Sequence, residues 1–148
     1  MCGGVIYHYN SKIIKTYFPN PKAALPIKLK QGGIKLLPWG RRQQQSGHLP
    51  LGGWARLESI QKGIWDKYFP KSVKIMVSEF MEKDQATGMS EWFSVNEGQF
   101  IQGLVAHDDQ EQRVYVVTIP PPQKEAIHNR WPRILTDNDS KIYGFGVG

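Results

Sequence analysis

The chain of 148 residues contains a single cysteine, Cys2, directly after Met1. One cysteine cannot form an internal disulfide, and it excludes a zinc site built on a cysteine pair. The fold must therefore be stabilised by a hydrophobic core, for which a hydrophobic content of 40% is sufficient. This length predicts one domain, residues 1–148.

Cys2 is also the first candidate for chemistry. Methionine before a small residue is normally removed in cells, so we expect the mature chain to begin at Cys2. A terminal cysteine carries an α-amine that titrates at about 7.7–8.0 and a thiol that titrates near 8.5. Together they can close a thiazolidine ring on an aldehyde, whereas the thiol alone can attack an amide or ester with the amine as base. A single cysteine can equally be inert.

The net charge of +6 and a pI near 9.5 favour a polyanionic partner. Basic residues crowd the first third of the chain, namely Lys12, Lys15, Lys22, Lys28, Lys30, Lys35, Arg41 and Arg42. Between them lie the aromatic residues Tyr7, Tyr9, Tyr17, Phe18 and Trp39. This interleaving is typical of single-strand binding, in which bases stack while phosphates are neutralised. The alternative is that the aromatic residues form the core and the lysines a solvated face.

Short apolar segments predict no membrane span, and the first residues predict no secretory signal. We therefore expect a cytoplasmic protein associated with the nucleoid. No histidine spacing supports a zinc site, so no metal and no cofactor are expected.

The pattern predicts an α+β fold, with a mixed or antiparallel curled sheet or partial barrel, one main helix and short peripheral helices. The predicted strands are residues 5–9, 13–18, 27–37, 73–81, 91–95, 100–106 and 113–119. Apolar residues near helical spacing predict the main helix over residues 55–68, and a short helix is predicted over 123–128. Residues 41–53 are expected to form a loop, and residues 141–148 a frayed tail.

Four segments offer further functional side chains. Arg56 begins the predicted helix, where a guanidinium suits a phosphate, although it could instead pair with Glu58 or Asp66. Glu79 and Glu82 end a predicted strand, and because they are three residues apart at most one should reach a site. His128 is a candidate proton shuttle or a structural histidine. Trp39, in Leu37-Pro38-Trp39-Gly40, could stack on a base or pack in a turn.

In order, these segments resemble the SOS-response-associated peptidase (SRAP) family, which shields abasic sites in single-stranded DNA. The resemblance rests on motifs across almost the whole chain, namely Met1-Cys2-Gly3, Leu37-Pro38-Trp39-Gly40, Ala55-Arg56-Leu57-Glu58-Ser59, Phe80-Met81-Glu82 and the nine residues 127–135. The last motif, at its spacing from the others, is the most specific.

The resemblance implies that Cys2 forms a thiazolidine with the ring-opened aldehyde of an abasic deoxyribose. It also implies that Glu82 is an acid/base group, that His128 helps to open the sugar and contacts DNA, and that Arg56 holds the flanking phosphate. Abasic single-stranded DNA is the expected partner, with Trp39, Trp54, Arg41 and Arg130 as further DNA contacts.

This chain departs from the family pattern in several places. Trp54 stands where the family usually has an asparagine, so an indole replaces an amide. Lys83 follows Glu82 where the family commonly has tryptophan, and the chain is short after Leu135. Two other functions use the same residues differently, namely an N-terminal-nucleophile cysteine peptidase or amidase, and a non-catalytic nucleic-acid-binding module.

Overall fold

The computed structural model describes residues 1–122 and 130–139 as an α+β fold made mostly of strands. The elements in chain order are β1 (Cys2–Tyr9), β2 (Lys12–Tyr17), β3 (Ala24–Lys28), β4 (Ile34–Pro38), β5 (Trp54–Arg56), α1 (Leu57–Gln61), β6 (Lys71–Ile75), β7 (Glu79–Lys83), β8 (Ser90–Ser94), β9 (Gln99–His107), β10 (Gln112–Ile119), β11 (Trp131–Pro132) and β12 (Ile134–Thr136). A 3₁₀ turn, Asp66–Tyr68, lies between α1 and β6.

The strands form two sheets, neither of which closes into a barrel within the described part of the chain. The smaller sheet has the order β2-β1-β7-β8 and is antiparallel throughout. The larger sheet has the order β11-β10-β9-β6-β3-β4, with β12 also paired to β9 and β5 paired in parallel to β10. The predicted curled sheet with few helices is therefore confirmed.

The main hydrophobic cluster contains residues of both sheets, including Val5 and Phe80 from the smaller sheet and Ile101 and Val116 from the larger. A second cluster is built around Trp65, Leu104 and Tyr115 and is completed by residues of β5 and α1. Because clusters pack on both faces of the larger sheet, β9 is buried along almost its whole length. The described residues include no helix with the length and apolar character needed to cross a membrane.

The predicted helix over residues 55–68 is mostly wrong, because only Leu57–Gln61 is α-helical. The residues just before it extend β5 along β10, where Ala55 is buried. Gly63, with φ of 80°, then stops the helix after one turn. Tertiary pairing and one left-handed glycine therefore replace a helix that local spacing favoured.

Two predicted strands are each divided in two. Residues 27–37 contain a turn with Gly32 and Gly33 at φ of 94° and 83°, which separates β3 from β4. Residues 73–81 contribute β6 to the larger sheet and β7 to the smaller one, with Ser78 Oγ donating to the Ile6 carbonyl at 3.0 Å in the crossing segment. The predicted helix over 123–128 and the tail over 141–148 lie outside the described residues.

Candidate functional site

Cys2 lies at the start of β1, directly opposite Glu82 on β7. Both side chains are fully buried. The pairing shifts register between Cys2 and Gly4, and the Cys2 thiol donates to the Gly4 carbonyl at 3.6 Å. Strand pairing therefore brings together the two residues that sequence analysis assigned to thiol chemistry and to proton transfer.

Burial raises the pKa of the Cys2 thiol well above its usual value, and the nearby Glu82 carboxylate raises it further. The chain's α-ammonium and backbone hydrogen bonds lower it by less. With Met1 attached, the Cys2 thiol therefore stays protonated at neutral pH. The expected thiolate fraction concerns the chain that begins at Cys2, and it stays a prediction. An amine that attacks first, with the thiol adding later, suits such a site better than direct attack by a thiolate.

The α-ammonium of Met1 lies 2.8 Å from Glu82 Oε2. Glu82 is thus the carboxylate that meets the chain's amino group. Removal of Met1 would transfer that amino group to Cys2, the residue already facing Glu82 across the strand pair. A buried carboxylate at this place is suited to accept and return protons at an amine.

A cavity of about 720 Å³ adjoins this strand pair. Its walls include the neighbours of Cys2 and several aromatic or long side chains, among them Met1, Gly3, Tyr17, Phe18, Trp54, Met81 and Lys83. Met1 and Gly3, which flank Cys2 in the chain, line the cavity, whereas the side chains of Cys2 and Glu82 are buried and are not among its walls. Its volume is sufficient for a nucleotide-sized group.

Trp54, which stands where the SRAP pattern has asparagine, is part of this site. Its Nε1 donates to the Cys2 carbonyl at 2.7 Å, and its ring lies 4.8 Å from that of Phe18. The indole thus supplies one hydrogen bond to the backbone of Cys2 and one wall of the cavity. An asparagine amide at this position could not provide the same wall.

Arg56 is exposed at the N-cap of α1, two residues after Trp54 in β5. Its alternating position in the strand places it on the same side as Trp54. The predicted position at a helix start is correct, although the helix has only five residues.

Trp39 is not a DNA contact, because its ring is fully buried. Its Nε1 donates to the Gly53 carbonyl at 3.0 Å, and its ring packs edge-on against Phe18 and Trp54 at 5.6 and 6.5 Å. The prediction that Trp39 stacks on a base is therefore wrong. The ring instead supports the two aromatic side chains that line the cavity.

Two arginines predicted to bind DNA are used within the protein. Arg41 Nε donates to the Leu49 carbonyl at 2.7 Å, and Arg41 Nη1 donates to the Gln45 carbonyl at 2.8 Å. These bonds close the 41–53 loop on itself. Arg41 therefore organises that loop through Nε and Nη1, and its role as a DNA contact stays a prediction.

Arg130 is buried and points inward. Its two terminal nitrogens each donate to a Glu58 carboxylate oxygen at 2.9 Å, and one also donates to the Thr118 carbonyl at 2.7 Å. Such a bidentate pair fixes the guanidinium plane and leaves it no free edge for a phosphate. The prediction of Arg130 as a DNA contact is wrong. Glu58, a predicted partner of Arg56, pairs with Arg130 instead.

His128, the third predicted catalytic residue, lies outside the described residues. The described residues end at Pro122 and resume at Arg130. Contacts with β10, β11 and α1 hold this part of the chain in place. No group of three potential metal ligands is found among the residues of known placement.

The Glu58–Arg130 ion pair predicts how the stability of the fold changes with pH, and this change can be measured. The hydrogen bonds from Arg130 lower the pKa of Glu58 to about 2, compared with 4.5 for the free side chain. The charged pair therefore stabilises the fold fully above pH 4.5, and this contribution is lost as pH falls towards 2. We expect Glu58→Gln to flatten the dependence of unfolding free energy on pH over this window, as measured by urea titration at several pH values.

Glu97→Gln is the matched control, since Glu97 is exposed in the turn between β8 and β9. It should leave the slope between pH 4.5 and 2 unchanged. Equal slopes for Glu58→Gln and the unmodified chain would contradict the structural role assigned to Arg130.

Comparison with known proteins adds no relative from which function could be transferred. No protein-family model matches the chain, and no curated protein matches it either. The functional interpretation therefore depends on the site itself and on the motif resemblance.

Proposed function

We propose that this chain captures abasic sites in single-stranded DNA by closing a thiazolidine ring on Cys2. The observation that carries the proposal is the pairing of Cys2 with Glu82, at a carboxylate that contacts the chain's α-ammonium at 2.8 Å. An amine, a thiol and a proton carrier are the three groups that this reaction needs. The proposal requires that Met1 is removed, because a peptide bond to Met1 would block the Cys2 amine.

The reaction begins at the ring-opened aldehyde of the abasic sugar. The neutral Cys2 amine attacks the aldehyde carbon, and the resulting carbinolamine loses water to give an imine. Glu82 is placed to remove a proton from the ammonium and to protonate the departing hydroxyl. The Cys2 thiol then adds to the imine carbon, forming the C–S bond while its proton passes to the nitrogen. The net change is the loss of one water, with no change in oxidation state.

The raised pKa of the Cys2 thiol supports this order of steps. A thiol that remains protonated is a poor first nucleophile, but it can add once the imine is held beside it. A peptidase or amidase would instead start with attack by the Cys2 thiolate.

We assign the non-covalent binding of DNA, which precedes covalent capture, to the exposed Arg56 and to the cavity wall formed by Trp54 and Phe18. A guanidinium can hold a flanking phosphate, and aromatic faces can contact an unpaired base. The net charge of +6 supports a salt-dependent attraction to DNA. His128 has the role implied by the SRAP resemblance, in opening the sugar and contacting DNA.

Intact mass spectrometry tests the proposal directly. The purified protein is measured alone and after mixing with single-stranded DNA that carries one abasic site. We expect a chain without Met1 and a one-to-one adduct that survives denaturation, with the mass of both components minus one water. The control is the same DNA carrying a tetrahydrofuran abasic analogue, which has no aldehyde and should give no adduct. A chain without Met1 that forms no adduct would contradict the proposal and leave a non-covalent binding module.

A further inference from the structure

One row of side chains crosses the whole outer face of the smaller sheet at its Cys2 end. Strand register aligns Tyr17 of β2 with Gly4 of β1, Gly4 with Met81 of β7, and Met81 with Trp92 of β8. The neighbouring positions Val5 and Phe80 point into the core, so this row faces outward. We call Tyr17, Gly4, Met81 and Trp92 the aromatic row.

The two rings of the aromatic row meet although their strands are separated by two others. Their centroids are 6.2 Å apart with an interplanar angle of 69°, and Tyr17 is 40% exposed. Gly4 permits this contact, because a Cβ at that position would lie 2.9 Å from the Tyr17 ring. The result is a nearly continuous aromatic surface that lies across the sheet and is open to solvent.

The aromatic row continues into the cavity beside Cys2. Tyr17 and Met81 belong to both, and Lys83, the next outward position on β7, also lines the cavity. Lys15 extends over the row from β2, with its Nζ 4.9 Å from the Trp92 ring centre. A DNA strand whose abasic sugar lies in the cavity would therefore pass from the cavity directly onto aromatic rings that two lysines flank.

We propose that the aromatic row binds the unpaired bases on one side of the abasic nucleotide. This inference rests on the proposed function, which places the abasic sugar at Cys2. Stacking on Tyr17 and Trp92 requires exposed base faces, which a duplex does not offer. In the bound state Lys15 exchanges its contact with the Trp92 ring for a phosphate.

Local charge indicates which of these contacts dominates. Glu79 lies on the same face as Lys15, and Asp84 lines the cavity near Lys83, so the lysines are partly balanced. We therefore expect stacking to contribute more affinity than phosphate neutralisation. Replacing an aromatic residue of the row should weaken binding more than replacing Lys15.

The test measures non-covalent binding of an oligothymidine without an abasic site, by fluorescence anisotropy. Trp92→Ala and Tyr17→Ala are each expected to weaken binding by about tenfold, and Trp92→Phe should restore most of the loss. Phe69→Ala is the control, because Phe69 is an exposed aromatic residue that stacks on His107 at 5.1 Å, outside this face. Thermal melting of each variant confirms that it is folded.

Direction along the strand provides a second readout. Oligonucleotides carry the abasic site at the 5′ end or at the 3′ end, so that flanking bases extend to one side only. Trp92→Ala should slow adduct formation with one of the two at subsaturating protein and leave the other unchanged. If Trp92→Ala slows adduct formation equally with both oligonucleotides, the assignment of the aromatic row to one side of the abasic nucleotide is overturned.

Other outcomes separate this inference from the proposed function. Unchanged oligothymidine affinity for folded Trp92→Ala and Tyr17→Ala would overturn the aromatic row as a binding surface, even if the adduct forms normally. Equal affinity for duplex DNA would overturn it as well. The unmodified protein could also form no adduct while these variants lose affinity for oligothymidine. That outcome would retain the aromatic row as a surface that binds single strands, and it would rule out the capture chemistry.

Discussion

Cys2→Ala is expected to abolish the denaturation-resistant adduct with abasic DNA and to leave most of the salt-sensitive binding intact. The thiazolidine needs the sulfur atom, so no other residue can complete the ring. Binding depends instead on Arg56, the cavity wall and the aromatic row, none of which the substitution removes. The measurement pairs denaturing gel electrophoresis of the adduct with anisotropy of the non-covalent complex at several salt concentrations.

Two further variants separate the roles of the amine and the carboxylate. An uncleaved extension before Cys2 retains the thiol but caps the amine, and it should also abolish capture. Glu82→Gln retains both and should slow capture by about 10²- to 10⁴-fold, the usual contribution of a general acid–base group. Capture by the extended chain at the normal rate would show that the amine takes no part, and loss of all DNA binding in Cys2→Ala would argue against a separate binding surface.

Trp39→Ala is expected to lower the free energy of unfolding by about 3–5 kcal/mol, the largest effect on stability that we predict for a single side chain. The ring is completely buried, it packs against Phe18 and Trp54, and its Nε1 satisfies the Gly53 carbonyl. Truncation leaves a cavity and removes one of the two hydrogen bonds to the Gly53 carbonyl, which keeps only the bond from the Val116 N–H. Urea denaturation followed by circular dichroism measures the change.

The matched comparison is Trp92→Ala, which removes the same side chain from a partly exposed position. Its loss of stability should be clearly smaller, and its effect should be on DNA binding instead. Trp39→Phe should recover part of the stability, since it refills most of the space but cannot donate to Gly53. A folded Trp39→Ala variant with normal stability and weakened DNA binding would restore the original prediction of a base-stacking role.

Much of the fold could be predicted from alternation and chain breaks. β1, β2, β8, β9 and β10 lie where β-rich segments predicted strands, because each such segment belongs to one strand only. The divided strands were harder, since residues 73–81 are rich in apolar and β-branched residues on both sides of the point where they change sheets, after Ile75. Nothing in local composition marks that change, which depends on which partner strand is available.

The candidate site was predicted unevenly for a similar reason. Cys2 and Glu82 were identified from residue chemistry and motif order, and strand pairing brings them together. Trp39, Arg41 and Arg130 were identified from residue type alone, and the structure uses each of them internally. Trp92 was missed, although alternation along β8 from the buried-side Phe93 places it on the outer face.

The sequence by itself determined the single cysteine and its position, the β-rich composition, the basic charge and the order of the motifs. These properties belong to residues or to short segments, so they can be read without knowing the neighbours in space. Only the tertiary structure decided that Glu82 faces Cys2, that Arg130 binds Glu58, and that Tyr17 meets Trp92 across Gly4. Each of these contacts joins residues distant in the chain, and strand register and packing, rather than local preference, select them.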